Sequence, residues 1–400
     1  MSVDDGAAMK PLEGLRVIDL TQAMAAPYCT MNLADLGADV IKVEPPGGEE
    51  QRRGSTSRNG HSGSFMAINR NKRGITLDLK TPEGVEVMHR LIRTADVFVQ
   101  NYRPGAAGRL GVDYDTLRAL NPRLIYCSVS GFGSTGPYAS RGGYDLIAQG
   151  MSGIISVTGE EEGAPAKAGI PLSDLSAGLF GAYGVLCALE HREQTGEGQF
   201  VDTSLLEAAM ALTVWESTEH WTTGRTPKAL GSAHRLSAPY QALRASDGWF
   251  TVGAANDKLF DGFCRALGRP DLLDDPRFAG RAQRLEHRHA LAAEIDKTTA
   301  KETRAHWLER LESAGVPCGP INTYPEALDD PHTLARGMVV DLVHPGAGAI
   351  KALGVPVHLS ETPGAVDRAA PLLGQHNDEI LAELGYDAAA RHRLRAAGVI

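Results

Sequence analysis

Residues 15–44 read LRVIDLTQAMAAPYCTMNLADLGADVIKVE. Within this segment, residues 15–20 have the apolar pattern of a buried strand, residues 28–36 have helical spacing closed by Gly37, and residues 39–43 form a second apolar run. A strand, a helix and a second strand at this spacing form a βαβ unit with parallel strands. The segment therefore predicts an α/β fold built on a doubly wound sheet.

Alternating strand and helix patterns continue through the first two hundred residues. We predict further strands at 74–79, 97–100 and 124–129, and a helix over 81–94 in which Pro82 occupies the first turn, where its missing N–H costs little. Residues 45–63 are rich in Gly, Ser and charge, and predict a long loop that would form a flap over a site.

The pattern changes after about residue 225. A strand at 249–254 and Arg-, His- and Ala-rich helices from 258 to 314 predict a smaller α+β domain, and the chain ends in a helix over 377–384. Because 400 residues exceed one ordinary core, we expect a large domain over 1–224, a small domain over 225–330 and a C-terminal segment over 331–400.

Composition limits the class of protein. The hydrophobic share of 42% and the charged share of 22% are typical of a soluble globular chain, and a net charge of −9 argues against nucleic acid as the main partner. The cysteines are scattered without a close pair, which indicates reduced thiols and no disulfide framework. We find no secretory signal and no apolar run long enough for a membrane span, so we expect a cytoplasmic protein without a membrane partner.

Two patterns in the sequence suggest a dinucleotide site and a metal site, but neither meets the requirements of such a site. Residues 131–136 read GFGSTG and follow a predicted strand, but the dinucleotide fingerprint also needs a helix that begins within the motif, and the following PYASRGG predicts a loop. His287 and His289 lie two apart on a predicted helix, so their side chains face different directions and make a poor metal pair. We therefore expect neither a nicotinamide or flavin site nor a metal.

Asp174 has the most informative position among the carboxylates. It follows a short loop with Gly169 and Pro171 and opens an apolar helix predicted over 175–189. The free N–H groups and the dipole of a helix start favour an ionised carboxylate. On local pattern alone, the alternative is a simple N-cap aspartate. Other carboxylates near glycine-rich turns, which are also catalytic candidates, are Asp19, Glu44 and Asp145.

Ordered motifs run along nearly the whole chain: LEGLRVIDLT at 12–21, LADLGADVIKVE at 33–44, NRNKR at 69–73, LDLKTPEG at 77–84, NYRPG at 101–105, NPRLIY at 121–126, SGFG at 130–133, GYD at 143–145 and TGEGQ at 195–199. In these motifs the chain resembles the family III CoA-transferases, a group that includes formyl-CoA transferase, carnitine CoA-transferases and α-methylacyl-CoA racemase. The resemblance implies a Rossmann-like large domain formed by both chain ends, an inserted small domain, and a homodimer of two interlocked rings.

The resemblance also implies an activity: CoA moves from an acyl-CoA donor, often succinyl-CoA, to a carboxylic acid acceptor. Asp174 matches the family's nucleophile, which forms a mixed anhydride and then an aspartyl–CoA thioester. The residues that match CoA-binding positions are Ala25, Leu77, Lys80, Asn101, Tyr102, Arg103, Arg109, Tyr144 and Asp145, with Arg52 or Arg53 as a substitute for a contact missing at Pro45. We expect Arg141 and His234 to contact the acceptor acid.

Departures from the family pattern narrow the chemistry. Tyr144 stands where the racemase branch has a histidine base, and a phenol with a pKa near 10 is a poor base at neutral pH, which favours a transferase. Met24 replaces a glutamine of formyl-CoA transferase, and residues 231–234 replace its glycine-run loop, so formyl-CoA and oxalate are not expected substrates. An α-methylacyl-CoA epimerase and a non-catalytic CoA-binding protein stay open as alternatives.

Overall fold

The computed structural model describes residues 9–400, which form two compact units. Unit 1 contains the chain up to residue 154 together with residues 168–218 and 331–400, and unit 2 contains residues 155–167 and 219–330. The sequence prediction had residues 155–167 inside the large domain, whereas here they belong to the smaller unit.

The strands are β1 Arg16–Leu20, β2 Asp39–Glu44, β3 Ser57–Arg58, β4 His61–Ser62, β5 Arg73–Thr76, β6 Val97–Gln100, β7 Ile125–Ser130, β8 Phe200–Ser204, β9 Tyr240–Ala245, β10 Gly248–Gly253, β11 Cys318–Pro320, β12 Val339–His344 and β13 Gly348–Leu353. The helices are α1 Ala25–Asp35, α2 Gly63–Ile68, α3 Pro82–Arg93, α4 Ala106–Arg109, α5 Tyr114–Leu120, α6 Asp145–Met151, α7 Ile154–Val157, α8 Leu172–Thr195, α9 Leu205–Ala211, α10 Val214–Thr223, α11 Asp257–Leu267, α12 Asp271–Asp274, α13 Arg281–Glu286, α14 Arg288–Thr299, α15 Arg304–Ser313, α16 Tyr324–Asp329, α17 Pro331–Ala335, α18 Asn377–Glu383 and α19 Ala388–Ala396.

Unit 1 is built on a six-stranded sheet with the order β5-β2-β1-β6-β7-β8, in which every neighbouring pair is parallel. The chain moves outward from β1 through β2 to β5, and then returns to add β6 on the other side of β1. This confirms the predicted doubly wound α/β fold. The carboxyl ends of β1 and β6 meet at the point where the strand order reverses, which is where open α/β sheets bind ligands.

Two hydrophobic clusters cover the two faces of this sheet. On β1, Ile18 and Leu20 belong to a cluster that includes α3 and the C-terminal helices, where Ile380 is fully buried. Val17 faces the opposite cluster, which includes α1 and α8. The alternation follows from the two-residue period of a strand.

Unit 2 has a three-stranded antiparallel sheet with the order β11-β10-β9. Its core contains Phe250, Phe263, Trp307 and Leu311, all buried, from the sheet and the surrounding helices. This agrees with the α+β architecture predicted for the smaller part.

Several local predictions need correction. Helix α8 begins at Leu172 with Pro171 as its N-cap, so Asp174 is the third helical residue and the N-cap interpretation is wrong. The segment predicted as a long loop contains a 3-10 helix over Glu50–Arg53 and the β3–β4 hairpin. By length and composition α8 is also apolar enough to cross a membrane, contrary to the sequence estimate, although Ala177, Val185 and Ala188 on it are core residues.

Candidate active site

A cavity of about 300 Å³ opens at the carboxyl ends of β1, β6 and β7. Its lining includes the turn 22–25 after β1, the segment 101–104 after β6, and the loop that leads from β7 to Tyr144. Asp174 in the first turn of α8 and Leu205 at the start of α9 complete it. The cavity therefore lies among helix N-termini, whose partial positive charge favours anionic ligands.

The Asp174 carboxylate is the acidic group in this lining. Within residues 9–400, no side chain pairs with it, and helix α8 has no side-chain cap. Burial, and then the negative charge of Asp145, raises the pKa of Asp174 to about 6. Burial acts on this pKa in the direction opposite to a helix N-terminus, which favours the ionised form. The carboxylate is still ionised at neutral pH, but it is more basic than an ordinary aspartate and hence a better nucleophile.

Hydrogen bonds from α6 fix the loop that leads into α8. Asp145 accepts a bond of 2.9 Å from the Ser173 N–H and one of 2.8 Å from Gln149 Nε2. The Gln149 Oε1 atom accepts a bond of 2.9 Å from the Ala168 N–H. Sequence reasoning did not identify Gln149, although its spacing of four residues from Asp145 places both on one helix face. These contacts hold Ser173, the residue before Asp174, against α6. Asp145 does not line the cavity, and the CoA contact expected of it stays a prediction.

Close packing of α1 against α8 brings the two sides of the cavity together. A Cβ atom at Gly178 would lie 2.5 Å from the Ala25 carbonyl oxygen and 3.2 Å from the Cys29 nitrogen. Only glycine permits this approach, which sets the first turn of α8 beside the turn at Ala25.

Most of the predicted ligand-contacting residues gather here. Those that line the Asp174 cavity are Ala25, Asn101, Tyr102, Arg103, Arg141 and Tyr144. Arg53 lines a neighbouring cavity of about 650 Å³, which also includes Gln22 and Ala23. The two cavities therefore share the turn after β1.

The remaining predicted residues lie elsewhere. The Leu77 side chain is 1% exposed and packs in the hydrophobic core, so only its backbone can face a ligand. Lys80 and Arg109 are exposed and line neither cavity. His234 belongs to unit 2, where its ring stacks on Tyr240 with centroids 4.6 Å apart. The ligand contacts assigned to these residues stay predictions.

Two of the other candidate carboxylates are buried in ion pairs. Asp19 lies 2.8 Å from the Lys72 ammonium, and both side chains are fully buried. Burial opposes ionisation of Asp19, but the charges of Lys72 and Lys42 outweigh it and lower its pKa to about 2. Glu44 lies 2.6 Å from Arg52. Neither carboxylate lines the Asp174 cavity.

The GFGSTG segment forms a loop between β7 and α6, so no helix begins within it, as predicted. The first glycine of this segment packs closely against the backbone of Gly143, since a Cβ at Gly131 would lie 2.7 Å from the Gly143 Cα. In the part of the chain that the structure describes, no group of three or more His, Cys, Asp or Glu side chains is arranged to hold a metal ion.

Comparisons with known proteins agree with this architecture. Residues 12–377 match the model of CoA-transferase family III. The succinyl-CoA:glutarate CoA-transferase of Mus musculus is 39% identical over 399 residues, which cover 99% of this chain and 92% of the relative. The succinate–glutarate CoA-transferase of Agrobacterium fabrum is 41% identical over 382 residues, 94% of this chain and 96% of the relative. The crystal structure of a CAIB/BAIF family protein from Brucella suis has a TM-score of 0.85 at 40% identity, and covers 94% of this chain and 100% of its own.

Proposed function

This chain belongs to CoA-transferase family III, and from that premise we propose that it moves CoA from succinyl-CoA to a dicarboxylic acid through covalent intermediates on Asp174. The observation that carries the proposal is the position of Asp174, whose side chain lines the cavity. Its pKa is raised to about 6. The named substrates of the relatives support the donor and the class of acceptor.

The first half of the reaction releases the donor acid. The Asp174 carboxylate attacks the thioester carbonyl of succinyl-CoA; the C–S bond breaks, and CoA leaves as a thiolate from a mixed anhydride. The thiolate then attacks the aspartyl carbonyl of that anhydride. Succinate leaves with the bridging oxygen, and an aspartyl–CoA thioester remains on Asp174.

The second half repeats these steps with the acceptor. The acceptor carboxylate attacks the aspartyl thioester, which forms a new anhydride and frees the CoA thiolate. The thiolate attacks the acceptor's acyl carbon, and the products are the new acyl-CoA and the regenerated Asp174 carboxylate. Each intermediate reacts with water, so the partly buried position of Asp174 protects it.

Arg103 and Arg141 supply positive charge to the same cavity. The Arg141 guanidinium carbon lies 4.0 Å from the centre of the Tyr138 ring, a contact that limits its freedom. Guanidinium groups bind carboxylates through paired hydrogen bonds. We assign Arg141 to the distal carboxylate of the acceptor; Arg103, with Asn101, Tyr102 and Tyr144, lines the CoA path.

The remaining parts of the proposal concern the whole protein. An apolar stripe on α8, formed by the exposed Leu179, Tyr183 and Leu186, supports a homodimer in which the stripe is covered. The scattered cysteines support a cytoplasmic location.

A mass-spectrometric exchange screen in deuterated water tests the proposal. Purified protein is incubated with succinyl-CoA and a panel of mono- and dicarboxylic acids, and the mass of every CoA ester is measured. We expect new dicarboxylyl-CoA esters without deuterium at the α-carbon. Deuterium in an unchanged ester would instead indicate an epimerase, and no exchange with any acid would contradict the proposal.

Variants of single carboxylates connect the activity to the site. Asp174→Ala should abolish exchange, because Asp174 is the one carboxylate among the described residues that line the cavity. Asp341→Ala is the matched control, since Asp341 is an exposed carboxylate on β12 that pairs with Lys351. If Asp174→Ala kept more than a few per cent of turnover, Asp174 would not be the nucleophile.

A further inference from the structure

The turn between β1 and α1 has an unusual backbone. Ala23 has a φ of 64°, in the left-handed region. This conformation is unfavourable for a residue with a Cβ atom, and it persists only where the surrounding structure enforces it. Because Ala23 lines both cavities, the shape of this turn sets the shape of the binding site.

Asn101 holds the residue before Ala23 from the neighbouring strand. Its Oδ1 atom accepts a hydrogen bond of 2.8 Å from the Gln22 N–H, and its Nδ2 atom donates one of 2.7 Å to the Gln22 carbonyl. Asn101 follows β6 and Gln22 follows β1, so these two hydrogen bonds bridge the point where the strand order of the sheet reverses. One donor and one acceptor of the amide are therefore used by the protein itself.

Buried charged side chains also bond to the backbone on both sides of Ala23. Asp19 Oδ1 accepts a bond of 3.0 Å from the Thr21 N–H, and Lys42 Nζ donates one of 3.0 Å to the Thr21 carbonyl. Lys72 Nζ donates to Asp19 Oδ2 at 2.8 Å and to the Pro27 carbonyl at 3.0 Å. The side chains of Asp19, Lys42 and Lys72 are fully buried, so these bonds are shielded from water.

We propose that Asn101 is a positioning residue, which with the buried Asp19, Lys42 and Lys72 holds Ala23 in its left-handed conformation and so presets the turn for CoA. The inference rests on the proposed function, because CoA is the ligand. A turn that already has its bound shape loses little conformational freedom when the ligand arrives. Without the Asn101 amide, Ala23 relaxes toward negative φ, and CoA binding must restore the turn.

Calorimetric titration with free CoA tests this role in four proteins: the wild type, Asn101→Ala, Ala23→Gly and the double variant. We expect Asn101→Ala to raise the Kd about 10-fold. In that background Ala23→Gly should recover about fivefold, because glycine takes a left-handed φ at little cost. Ala23→Gly made in the wild type should give no such gain in affinity, because the hydrogen bonds from Asn101 already hold the turn there.

A direct contact between Asn101 and CoA gives a different result. Ala23→Gly would then change the Kd by the same factor with and without Asn101, and this additivity would overturn the inference. An unchanged Kd in Asn101→Ala would also overturn it and leave the proposed function standing. If the wild-type protein bound no CoA, both would be rejected.

Asn121→Ala is the matched control for loss of stability. The Asn121 side chain also bonds to the backbone: its Nδ2 atom donates to the carbonyls of Ile92 at 3.0 Å and Ala95 at 2.8 Å. Unlike Asn101, Asn121 lines neither cavity. We expect Asn121→Ala to lower the melting temperature without changing the Kd for CoA. An equal loss of CoA affinity in this variant would mean that Asn101 acts only through general stability.

Discussion

At the scale of the residue, the pKa of Asp174 sets the pH dependence of the reaction. The nucleophile must be ionised, and burial together with the charge of Asp145 raises its pKa to about 6. We therefore expect kcat/KM to rise as the pH increases through about 6 and to level off above it. Asp145→Asn removes the negative charge, so the acidic limb should move to lower pH. A rate profile between pH 5 and 8 measures this, and a flat wild-type profile would contradict it.

The same shift has a consequence for stability. The folded-state pKa of Asp174 lies above the unfolded value of 3.8, so the folded state binds the proton more tightly. Ionised Asp174 therefore destabilises the fold above pH 6, and the penalty disappears as the pH falls below about 4. We expect Asp174→Asn to raise the free energy of unfolding at pH 7.5 by about 1–3 kcal/mol. Urea unfolding at pH 7.5 and pH 4 tests this, and an equal gain at both values would contradict the linkage.

At the scale of the element, the packing of α8 on α1 sets the geometry of the cavity. A Cβ at Gly178 meets backbone at 2.5 Å, whereas a Cβ at Gly181 meets the Cys29 sulfur at 3.3 Å and Val129 at 3.4 Å. We expect Gly178→Ala to cost about 1–3 kcal/mol of stability and most of the activity, since it must push the helices apart. Gly181→Ala is the control, and we expect it to lose less stability and less activity than Gly178→Ala. Thermal unfolding and turnover measure both, and equal effects would refute the account.

The sequence predicted elements with strong apolar runs and missed those without them. β1, β2, β6 and β7 are buried along most of their length, and the βαβ spacing predicted that the strands are parallel. The order of the strands in the sheet was not predicted. β8 is an edge strand that is only partly buried, with Asp202 and Thr203 in it, so it carries no such run. The start of α8 was placed late, because Pro171 is an unusual N-cap.

The candidate site was predictable in part. Asp174 stood out from its position at a predicted helix start, whereas its role and the residues around its cavity were identified through a family resemblance. Those residues come from separate loops that only the fold brings together. The roles of Gln149 and of the bonds from Asn101 to Gln22 depend on interatomic distances, and no local pattern predicts these. The raised pKa of Asp174 likewise follows from burial, which a linear sequence does not specify.

At the scale of the whole molecule, one surface of unit 1 exposes several large apolar side chains. Leu179, Tyr183 and Leu186 are exposed at helical spacing on α8, and Leu146 and Ile147 of α6 are exposed as well. Because such surfaces commonly mark subunit contacts, we expect a dimer of the 42.6 kDa chain.

Light scattering after size-exclusion chromatography measures the dimer. Tyr183→Arg should shift the protein toward the monomer, because it places a charge in the apolar stripe, while the exposed Trp249→Arg on β10 serves as the control. A wild-type monomer, or an equal shift in both variants, would show that the stripe is not the subunit contact.

Trapping of the aspartyl–CoA thioester tests the central claim most directly. Wild-type protein is incubated with succinyl-CoA without an acceptor, quenched in acid, digested and analysed by mass spectrometry. The account predicts that the peptide containing Asp174 gains the mass of CoA less one water, and that hydroxylamine converts this adduct to a hydroxamate at the same residue. An adduct on another residue, or turnover without any adduct, would contradict it.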